Sequence, residues 1–492
     1  MIDQHATPLL TALATAAARE HTAFYAPGHK QGQGVSDALR SLVGPAALQA
    51  DLPELPELDN LFAPAGPIDQ AQRLAAQAFG AEATYFLANG STCGIEAALL
   101  AVSSPDEPVL MPRNAHRSVL AGLVLSGALP IYLSPLHDPR WDLAWGVTAQ
   151  QIEQALQSYP DIRAVVVVSP SYHGVCADIA AIAHVVHQHA AILIVDEAHG
   201  AHLSFHPNLP QGAITAGADI VIQSTHKVLG ALTQASMLHV QGQRVNRDRL
   251  RQALQLTQST SPNYLLLASL DAARQQMATA GRVLMEQTLG IAQRIRSRLR
   301  PMPNLTVLSP EHLLGVSNDF QLDPTRLVVD VAALDVTGFA ADEFLHEQQR
   351  VTAELPTLRQ LAFILSLGNQ PADGDHLMSA FDQLRQQAET LRSVSPAPLP
   401  MTAAAQPVVS QPPMTPREAF FSTAVAVPIA QAVGAIAADS LCPYPPGIPL
   451  LLSGERITAT AIASLQQIHQ AGGVITGNPD ETWRTVRVIK PE

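Results

Sequence analysis

Two patterns of apolar and polar positions alternate along the chain: short runs of β-branched residues, and longer segments with a helical repeat. Residues 164–168 and 192–195 are runs of the first kind, and their composition is typical of buried parallel strands. Residues 148–158 and 178–190 have apolar residues at helical spacing instead. Because strand and helix alternate from residue 83 to residue 240, the sequence predicts an α/β fold with a doubly wound, mostly parallel sheet.

The same patterns predict elements outside this central region. A first helix is expected over residues 7–21, with Leu9, Leu10, Leu13 and Ala17 on one side. The other helices are expected at 68–79, from Ser91 through Leu100, and at 264–299, 340–347, 416–425 and 457–471. The other strands are expected at 83–87, 108–111, 128–133, 219–223, 327–331, 361–367 and 450–452, and Trp141 and Trp145 are expected in a loop.

Length and composition divide the chain into several domains, since 492 residues are too many for one hydrophobic core. Residues 51–67 hold acidic residues and prolines between spaced leucines, so we expect an extended segment against another surface, such as a second subunit. Proline-rich, almost uncharged residues precede the last 75 or so and are typical of a linker. The predicted domains are an amino-terminal helix and interface arm at 1–67, a large domain at 68–300, a small α/β domain at 301–392, the linker at 393–416 and a carboxy-terminal domain at 417–492.

Charge and cysteine content narrow the range of functions. The net charge of −13 argues against a nucleic-acid partner, which needs a basic surface on the protein. Three cysteines far apart in sequence indicate a reducing compartment without a disulfide framework. No apolar run approaches the roughly 18 residues that a bilayer requires, and no His/Cys cluster suggests a metal site. We therefore expect a cytoplasmic protein with no membrane partner and no metal.

Polar side chains follow two of the predicted strands and carry the main candidate chemistry. One strand runs into Asp196 and the next runs into Lys227. In open α/β sheets, ligands bind at the carboxyl ends of the strands. Pyridoxal phosphate requires such a pair, because a lysine forms its Schiff base and an aspartate pairs with its pyridine nitrogen. Either residue alone would be better explained by a salt bridge or a strand cap, but the two in this order predict pyridoxal phosphate.

A phosphate site is predicted upstream, where residues 89–94 read NGSTCG between a strand and a helix. Ser91 and Thr92 are expected at the start of that helix, where free N–H groups and the helix dipole attract anions. The two residues can equally cap the helix, and capping is compatible with phosphate binding. The P-loop pattern is absent. Together with Asp196 and Lys227, we interpret this turn as the phosphate site of the same cofactor.

Two histidines are weaker candidates. His116 lies at a strand-to-helix junction, where an imidazole can stack on an aromatic cofactor or simply cap the helix. His29 and Lys30 lie in a loop rich in glycine and proline. They can reach an anion or an active site, or they can be solvated loop residues. The residues by themselves leave these alternatives open.

Eight sequence blocks in order resemble the bacterial ornithine/lysine/arginine decarboxylase family of fold-type I pyridoxal-phosphate enzymes. The blocks are PGHKQG at 27–32, LPELDNL at 55–61, NGSTCG at 89–94, RNAHRS at 113–118, DEAHG at 196–200, STHK at 224–227, STSPNY at 259–264 and YPPGIPLLLSGE at 444–455. The resemblance covers nearly the whole chain and implies a fold-type I, transferase-like α/β fold with a smaller α/β domain and a carboxy-terminal appendage. Larger family members carry an amino-terminal wing domain before the first block, so this chain resembles the short form.

The resemblance also implies roles for individual residues. Lys227 is the implied Schiff-base lysine, Asp196 the partner of the pyridine nitrogen, and His199 a neighbour of the cofactor. The remaining implied cofactor residues are His116, stacked on the ring, and Ser91, Thr92, Ser224 and His226 on the phosphate. The family forms dimers or higher oligomers with active sites at the subunit interface. Segments 27–61 and 259–264 are therefore expected to complete the partner's site.

The implied reaction is decarboxylation of a basic amino acid in polyamine biosynthesis. Arginine to agmatine is favoured over lysine to cadaverine and ornithine to putrescine. Lys227 and His226 are both candidates for the general acid that protonates the α-carbon. The distal cation of the substrate requires a carboxylate, and His29 and Glu455 are the predicted substrate residues. Other candidate carboxylates are Asp439, Glu57 and Asp59.

Three readings of the same cofactor site remain open at the level of sequence. The first is the decarboxylase. The second is transamination or aldol cleavage, for which Arg326 at the start of a small-domain strand is a candidate to bind the substrate α-carboxylate. The third is a catalytically silent protein that binds pyridoxal phosphate. The blocks at 27–32 and 444–455 favour the decarboxylase.

Overall fold

The structure, a computed structural model, describes residues 3–314, 316–392, 408–444 and 449–490. Its helices are α1 (Pro8–Ala17), α2 (Asp37–Val43), α3 (Pro45–Ala50), α4 (Pro67–Phe79), α5 (Gly90–Val102), α6 (Arg117–Ser126), α7 (Ala149–Ser158), α8 (Ile179–Gln188), α9 (Thr225–Val228), α10 (Arg247–Thr257), α11 (Tyr264–Leu299), α12 (Pro310–Leu314), α13 (Gly338–Gln349), α14 (Pro371–Arg392), α15 (Pro416–Phe421), α16 (Ile429–Ala432) and α17 (Ala459–Gln470). Within the described ranges, none of these helices combines the length and apolar character that crossing a membrane requires.

The strands are β1 (Ala83–Leu87), β2 (Pro108–Pro112), β3 (Leu129–Leu133), β4 (Leu136–Asp138), β5 (Leu143–Gly146), β6 (Ala164–Val168), β7 (Val175–Ala177), β8 (Ile192–Asp196), β9 (Ile220–Gln223), β10 (Ser236–Val240), β11 (Thr306–Val307), β12 (Phe320–Leu322), β13 (Arg326–Asp330), β14 (Leu355–Pro356), β15 (Gln360–Ile364), β16 (Val409–Ser410), β17 (Ala424–Pro428), β18 (Cys442–Tyr444), β19 (Val474–Thr476) and β20 (Thr485–Ile489). The chain divides into two compact units. Unit 1 is Met1–Val102 with Ile194–Glu286, and unit 2 is Ser103–Leu193 with Gln287–Glu492.

Unit 1 contains strands in the order β1-β10-β9-β8. β8 and β9 are parallel, whereas β10 is antiparallel to both of its neighbours. β10 is not among the strands expected from the sequence, and its direction departs from the expected parallel arrangement. The cause is its connection to β9, which contains only the four-residue helix α9. A parallel connection needs a crossover of a dozen or more residues, usually with a longer helix.

Two glycines determine where α5 begins and how closely it packs on these strands. Gly90, the first residue of α5, has a φ of 80°, a conformation that favours glycine. A Cβ atom at Gly94 would lie 2.6 Å from Leu87 on β1 and 3.1 Å from Ile222 on β9. A larger residue would therefore push the helix away from the sheet. The start of α5, which carries the predicted phosphate residues, is held against the strands in this way.

Unit 2 contains the strand order β6-β2-β3-β16. β2 is parallel to both β6 and β3, and β16 joins β3 antiparallel. A separate antiparallel sheet, β11-β13-β15-β14, lies within the segment expected as the small domain and shares one core with α13 and α14. Beyond it, β17 pairs with β20, and α17 closes a further core with Leu465 and Val486. Parallel strands and helices in both units confirm the predicted α/β class.

Several predicted boundaries are wrong. The first helix ends at Ala17 rather than residue 21, and Leu10, expected on the same side as Leu9 and Leu13, is 38% exposed whereas those two are buried. Trp145 lies in β5 and not in a loop. The helix expected over 416–425 ends at Phe421, because the following β-branched residues alternate and form β17. Residues 450–452 form no strand, only a single bridge from Leu451 to Leu441.

Two expectations about extended segments also change. Residues 393–407 of the predicted linker lie outside the described residues, but Val409–Ser410 form β16 and pair with β3, so the end of the linker belongs to a sheet. The leucines of residues 51–67 pack within unit 1 itself, with Leu58 fully buried and Leu52 only 2% exposed. Leu52, Leu58 and Leu61 therefore do not need a second subunit to cover them, whereas Leu55 is half-buried.

Candidate active site

The carboxyl ends of β8 and β9 bring the main predicted residues together in unit 1. The two strands are parallel neighbours, so Asp196, at the end of β8, and α9, which follows β9, lie at one edge of the sheet. Asp196 is only 5% exposed, and its Oδ1 accepts a hydrogen bond of 3.1 Å from the backbone N–H of Ala198. The carboxylate is thus buried and fixed in orientation.

Lys227 lies in α9 and is half-buried. Its Nζ is 3.1 Å from Nε2 of His199, a residue that is 3% exposed. An unprotonated imidazole nitrogen can accept a hydrogen bond from the amine. The contact therefore places the predicted reactive amine beside a group that can take its proton.

The predicted phosphate residues meet at the amino terminus of α5. Ser224 Oγ donates a hydrogen bond of 2.7 Å to Ser91 Oγ, which joins the end of β9 to the start of the helix. Thr92 is exposed on the first turn of α5. Two hydroxyl groups and the free N–H groups of a thirteen-residue helix make a site that suits a phosphate.

His226 lies between Ser224 and Lys227 in sequence, but its ring is already partly engaged. Its Nδ1 is 3.0 Å from the carbonyl oxygen of Ala235, so Nδ1 carries the proton and donates it. Burial lowers the pKa of His226, and the neighbouring Lys227 lowers it further, against the opposing effect of the bond to Ala235. Near neutral pH the ring is therefore a weak source of protons.

A network of buried, hydrogen-bonded polar side chains begins at Glu197, next to this edge, and it is not among the expectations from the sequence. Glu197 accepts hydrogen bonds of 2.7 Å from the Ala213 N–H and from Gln223 Nε2. Gln223 Oε1 is 3.0 Å from His239 Nε2, and His239 Nδ1 is 2.8 Å from Thr84 Oγ1. Burial raises the pKa of Glu197 to about 7 and lowers that of His239 to about 3. Glu197 stands directly after the predicted cofactor aspartate, and successive strand residues face opposite sides.

His116 belongs to unit 2, where it is the N-cap of α6. Its Nδ1 accepts a hydrogen bond of 3.2 Å from the Ser118 N–H and lies 2.9 Å from Ser118 Oγ. The capping alternative for this residue is thus confirmed. Its stacking on a cofactor ring stays a prediction.

Unit 2 also holds a charge pair that joins residues far apart in sequence. Both guanidinium Nη atoms of Arg113 donate to the carboxylate of Glu455, one of them at 2.8 Å. The two side chains are only 12% and 14% exposed. Glu455 also accepts from the Leu452 N–H at 3.0 Å, and the Arg113 guanidinium lies 5.5 Å from the centre of the Tyr132 ring. Glu455 was predicted as a substrate residue, and Arg113 was not given a role.

The other predicted substrate residue, His29, contacts residues of the amino-terminal region. Its Nε2 is 3.0 Å from Asp51 Oδ2, and its Nδ1 accepts from the Gly32 N–H at 3.0 Å. Lys30 donates to the carbonyl oxygen of Tyr25. These contacts give His29 a structural task, and its contact with substrate stays a prediction.

The remaining candidate carboxylates are all engaged as well. Glu57 forms a salt bridge of 2.7 Å with Arg19, and Asp439 pairs with Arg487 through both oxygens. Asp59 accepts hydrogen bonds from five backbone N–H groups, those of residues 60, 65, 66, 68 and 69. Asp59 thereby fixes the turn that leads into α4.

Comparisons with known proteins identify the family of this chain. The sequence model for the Orn/Lys/Arg decarboxylase major domain matches residues 7–373, and that for the C-terminal domain of the same family matches residues 400–477. The chain is 38% identical to arginine decarboxylase of Bacillus subtilis over 100% of this chain and 99% of the relative. It is 37% identical to arginine decarboxylase of Halalkalibacterium halodurans, again over 100% of this chain and 99% of the relative.

More distant relatives show the same fold. Lysine decarboxylase of Pseudomonas aeruginosa is 26% identical in sequence over 94% of this chain and 76% of its own length. A solved structure of lysine decarboxylase A from that organism superimposes with a TM-score of 0.85 over 98% of this chain and 80% of that one, at 24% identity. An alanine–glyoxylate aminotransferase from Nostoc sp. superimposes with a TM-score of 0.52 over 64% of this chain and 86% of that one, at 16% identity. The predicted fold class is confirmed, and the chain belongs to the Orn/Lys/Arg decarboxylase family.

Proposed function

We propose that this protein decarboxylates a basic amino acid, with arginine as the favoured substrate, and that Lys227 holds pyridoxal phosphate. The observation that carries the proposal is similarity along the full chain to proteins named arginine decarboxylase, at 36% to 38% identity. The arrangement of Asp196, His199 and Lys227 in unit 1 supports it independently.

The residues present fit this cofactor. The Ser91–Ser224 hydroxyl pair and the amino terminus of α5 suit its phosphate, and the Lys227 amine suits its aldehyde. Asp196, a carboxylate that is 5% exposed, suits the protonated pyridine nitrogen, because a charge of opposite sign at a buried site favours the protonated form. When bound, pyridoxal phosphate supplies a conjugated ring that accepts the electron pair left on the α-carbon as CO₂ departs.

The amine of Lys227 is the better candidate for the proton donor to the α-carbon. His226 has its Nδ1 proton committed to Ala235, and burial lowers its pKa. The amine of Lys227 lies 3.1 Å from His199 Nε2 and can exchange a proton with it. We propose this division of roles, with His226 serving as a neutral hydrogen-bonding residue.

An aminotransferase is the weaker alternative. It would need an arginine that receives the substrate α-carboxylate, and Arg326 was the candidate. Arg326 is 1% exposed, and its Nε lies 3.9 Å from Asp323. Burial lowers the pKa of its guanidinium. Such an environment is typical of an arginine with an interior structural role.

We further propose that the protein assembles as a homodimer or a higher oligomer, as the family resemblance implies. Unit 1 exposes large apolar side chains in its first 43 residues, with Phe24 94% exposed and Leu42 84% exposed. The STSPNY loop, expected to reach a partner, also contacts its own chain, since the Ser259 N–H donates to Asn89 Oδ1 at 3.4 Å. Its contribution to a partner's site and the cytoplasmic location stay predictions.

The test is to incubate the purified protein, loaded with pyridoxal phosphate, separately with arginine, lysine and ornithine, and to identify products by mass spectrometry. Agmatine from arginine is the expected result. A different amine from one of the other amino acids would retain the decarboxylase and replace the substrate. No amine from any of the three, in a protein that still holds the cofactor, would contradict the proposal.

A further inference from the structure

Unit 2 contains a half-open cavity of about 300 Å³ where several parts of the chain meet. The lining residues are Asn114, His137 and residues 142–144, then Val168 and residues 171–173 after β6, Phe339 and residues 355–358 in the small domain, and Pro443, Leu450 and Ile468 in the carboxy-terminal region. This volume lies at the lower end of the range for small-molecule sites, which occur preferentially where domains meet.

The walls of the cavity are mostly apolar, but they hold two buried polar atoms that lack partners. Nε2 of His173, in a side chain that is 8% exposed, makes no hydrogen bond with any residue that the structure describes, and the same is true of Oδ1 of Asn114. Burial lowers the pKa of His173 to about 4, so the ring is neutral near neutral pH. A buried polar atom left without a partner is costly, and a ligand that supplied one would relieve the cost.

Asp142 is the only carboxylate among the lining residues that the structure describes. Asp142 lines the cavity and accepts from Nε2 of His137 at 3.0 Å, with its side chain 15% exposed. No arginine or lysine is among the lining residues that the structure describes. The Asp142 carboxylate and the Asn114 oxygen both call for hydrogen-bond donors on the ligand, and Leu143, Phe339 and Leu358 offer an apolar surface for a short carbon chain.

We infer that this cavity binds a short alkyl amine or alkyl guanidine, and that it rejects the corresponding amino acid. The cationic head pairs with Asp142 and Asn114, and the methylene groups lie against the apolar wall. An amino acid would bring an α-carboxylate into a cavity that has no arginine or lysine among its described lining residues to receive it, which is a large penalty for a buried charge. Decarboxylation converts a molecule of the rejected class into one of the accepted class. The identification of the ligand with a reaction product rests on the proposed function.

The test uses butylguanidine, which has the cationic head and the chain but no primary amine to react with the cofactor. Calorimetric titration into the holoenzyme should give saturable binding, and γ-guanidinobutyrate, which adds a carboxylate, should bind about tenfold or more weakly. Asp142→Asn should weaken butylguanidine binding by about tenfold or more, since it removes the charge from the hydrogen bond. Asp142 has a φ of 53°, a conformation that asparagine also tolerates, so the substitution leaves the backbone unstrained.

A second variant and a control keep the test decisive. Ala144→Phe should also abolish binding by filling the cavity, whereas Asp161→Asn, at an exposed carboxylate outside it, should leave binding unchanged. Absence of binding to the wild-type holoenzyme would overturn the inference. So would binding that is insensitive to both cavity variants, or equal binding of γ-guanidinobutyrate. Failure of the proposed function has a separate readout, because it shows as no amine from arginine, lysine or ornithine while butylguanidine still binds.

Discussion

The polar edge of unit 1 and the Arg113–Glu455 pair of unit 2 are both largely buried, but they are assembled in different ways. Asp196 ends one strand and Lys227 follows the next, and the two strands are parallel neighbours, so a single crossover connection brings both residues to the same edge. Arg113 and Glu455 are 342 positions apart, and their contact depends on how the carboxy-terminal region docks within unit 2. Local topology thus creates the first group, and long-range packing creates the second.

The chemical state of the two groups differs as well. In the pair of unit 2, a bidentate bond compensates both charges, which suits a residue pair that holds structure together. In unit 1, the lysine amine faces an imidazole that can accept its proton. We therefore expect Lys227 and its neighbours in unit 1 to be reactive, and the Arg113–Glu455 pair of unit 2 to stabilise the fold. Each expectation can be tested.

Substitution of Lys227 tests the proposed reactivity of unit 1 and should have the largest effect on activity of the variants proposed here. Lys227→Ala should lower decarboxylation by about 10³-fold or more, because it removes both the covalent attachment and the proposed proton donor. The chain has three lysines, Lys30, Lys227 and Lys490, so borohydride reduction followed by peptide mass spectrometry can locate the pyridoxyl group. The label should fall on Lys227 alone, and Lys490→Ala, at an exposed lysine, should keep both label and turnover. A label on either of the other lysines would refute the assignment.

The buried network that begins at Glu197 gives a test of how unit 1 contributes to stability. Burial raises the folded pKa of Glu197 from 4.5 to about 7, so the folded state holds a proton that the unfolded state has released. Stability should therefore fall as pH rises from about 4.5 to about 7, by about 3 kcal/mol in total, and then level off. Urea unfolding at about pH 5 and about pH 8 measures this difference.

Glu197→Gln supplies the comparison for this pH effect. It removes the titrating group, so the difference between the two pH values should shrink by about 3 kcal/mol. Asp248→Asn, at a carboxylate whose side chain is 83% exposed, should leave the difference as in the wild type. An unchanged pH dependence in Glu197→Gln would show that Glu197 is ionised across this range and that the buried network plays no part in it.

Breaking the pair in unit 2 should cost stability. Glu455→Gln leaves the Arg113 guanidinium without its charged partner at a site that is about one-eighth exposed, so unfolding should become easier by about 2 kcal/mol. The matched control is Asp375→Asn, whose bridges to Arg294 and Arg298 are about half exposed and should contribute less than about 1 kcal/mol. Equal losses in urea unfolding would argue against a stabilising role for the buried pair. If Glu455→Gln loses turnover under conditions where the variant is still folded, that result would support the predicted contact of Glu455 with substrate.

The same contrast explains which parts of the structure could be predicted from the sequence. The helix at 264–299 and the strand at 164–168 match their predicted bounds, because their patterns are local and continuous. β10 could not be placed in the same way, since its antiparallel direction follows from the short connection that contains α9. β16 was hidden because its residues pair with β3, far earlier in the chain.

The residues of the candidate site also fall into those that local sequence indicates and those whose role depends on contacts far along the chain. Asp196, Lys227 and Ser91 stand at strand ends and at a helix start, where spacing alone indicates chemistry. Arg113 carried no such indication, because only its contact with Glu455 gives it a role. Glu197 had one usable clue, a second acidic residue directly after a buried strand. Such a residue must find hydrogen-bond donors or hold its proton, and the structure supplies the donors.

His116 allows the two kinds of role to be separated at a single position, with the smallest expected effect. His116→Ala removes the cap of α6 and should destabilise the protein by about 1 kcal/mol. Asparagine is a good N-cap residue, so His116→Asn should restore most of that stability while it removes the aromatic ring. The affinity for pyridoxal phosphate, measured by fluorescence titration of the apoprotein, then distinguishes the roles. If the ring stacks on the cofactor, both variants should lose affinity by about tenfold, since an aromatic contact contributes about 0.5–1.5 kcal/mol. If His116 only caps the helix, His116→Asn should bind the cofactor as the wild type does.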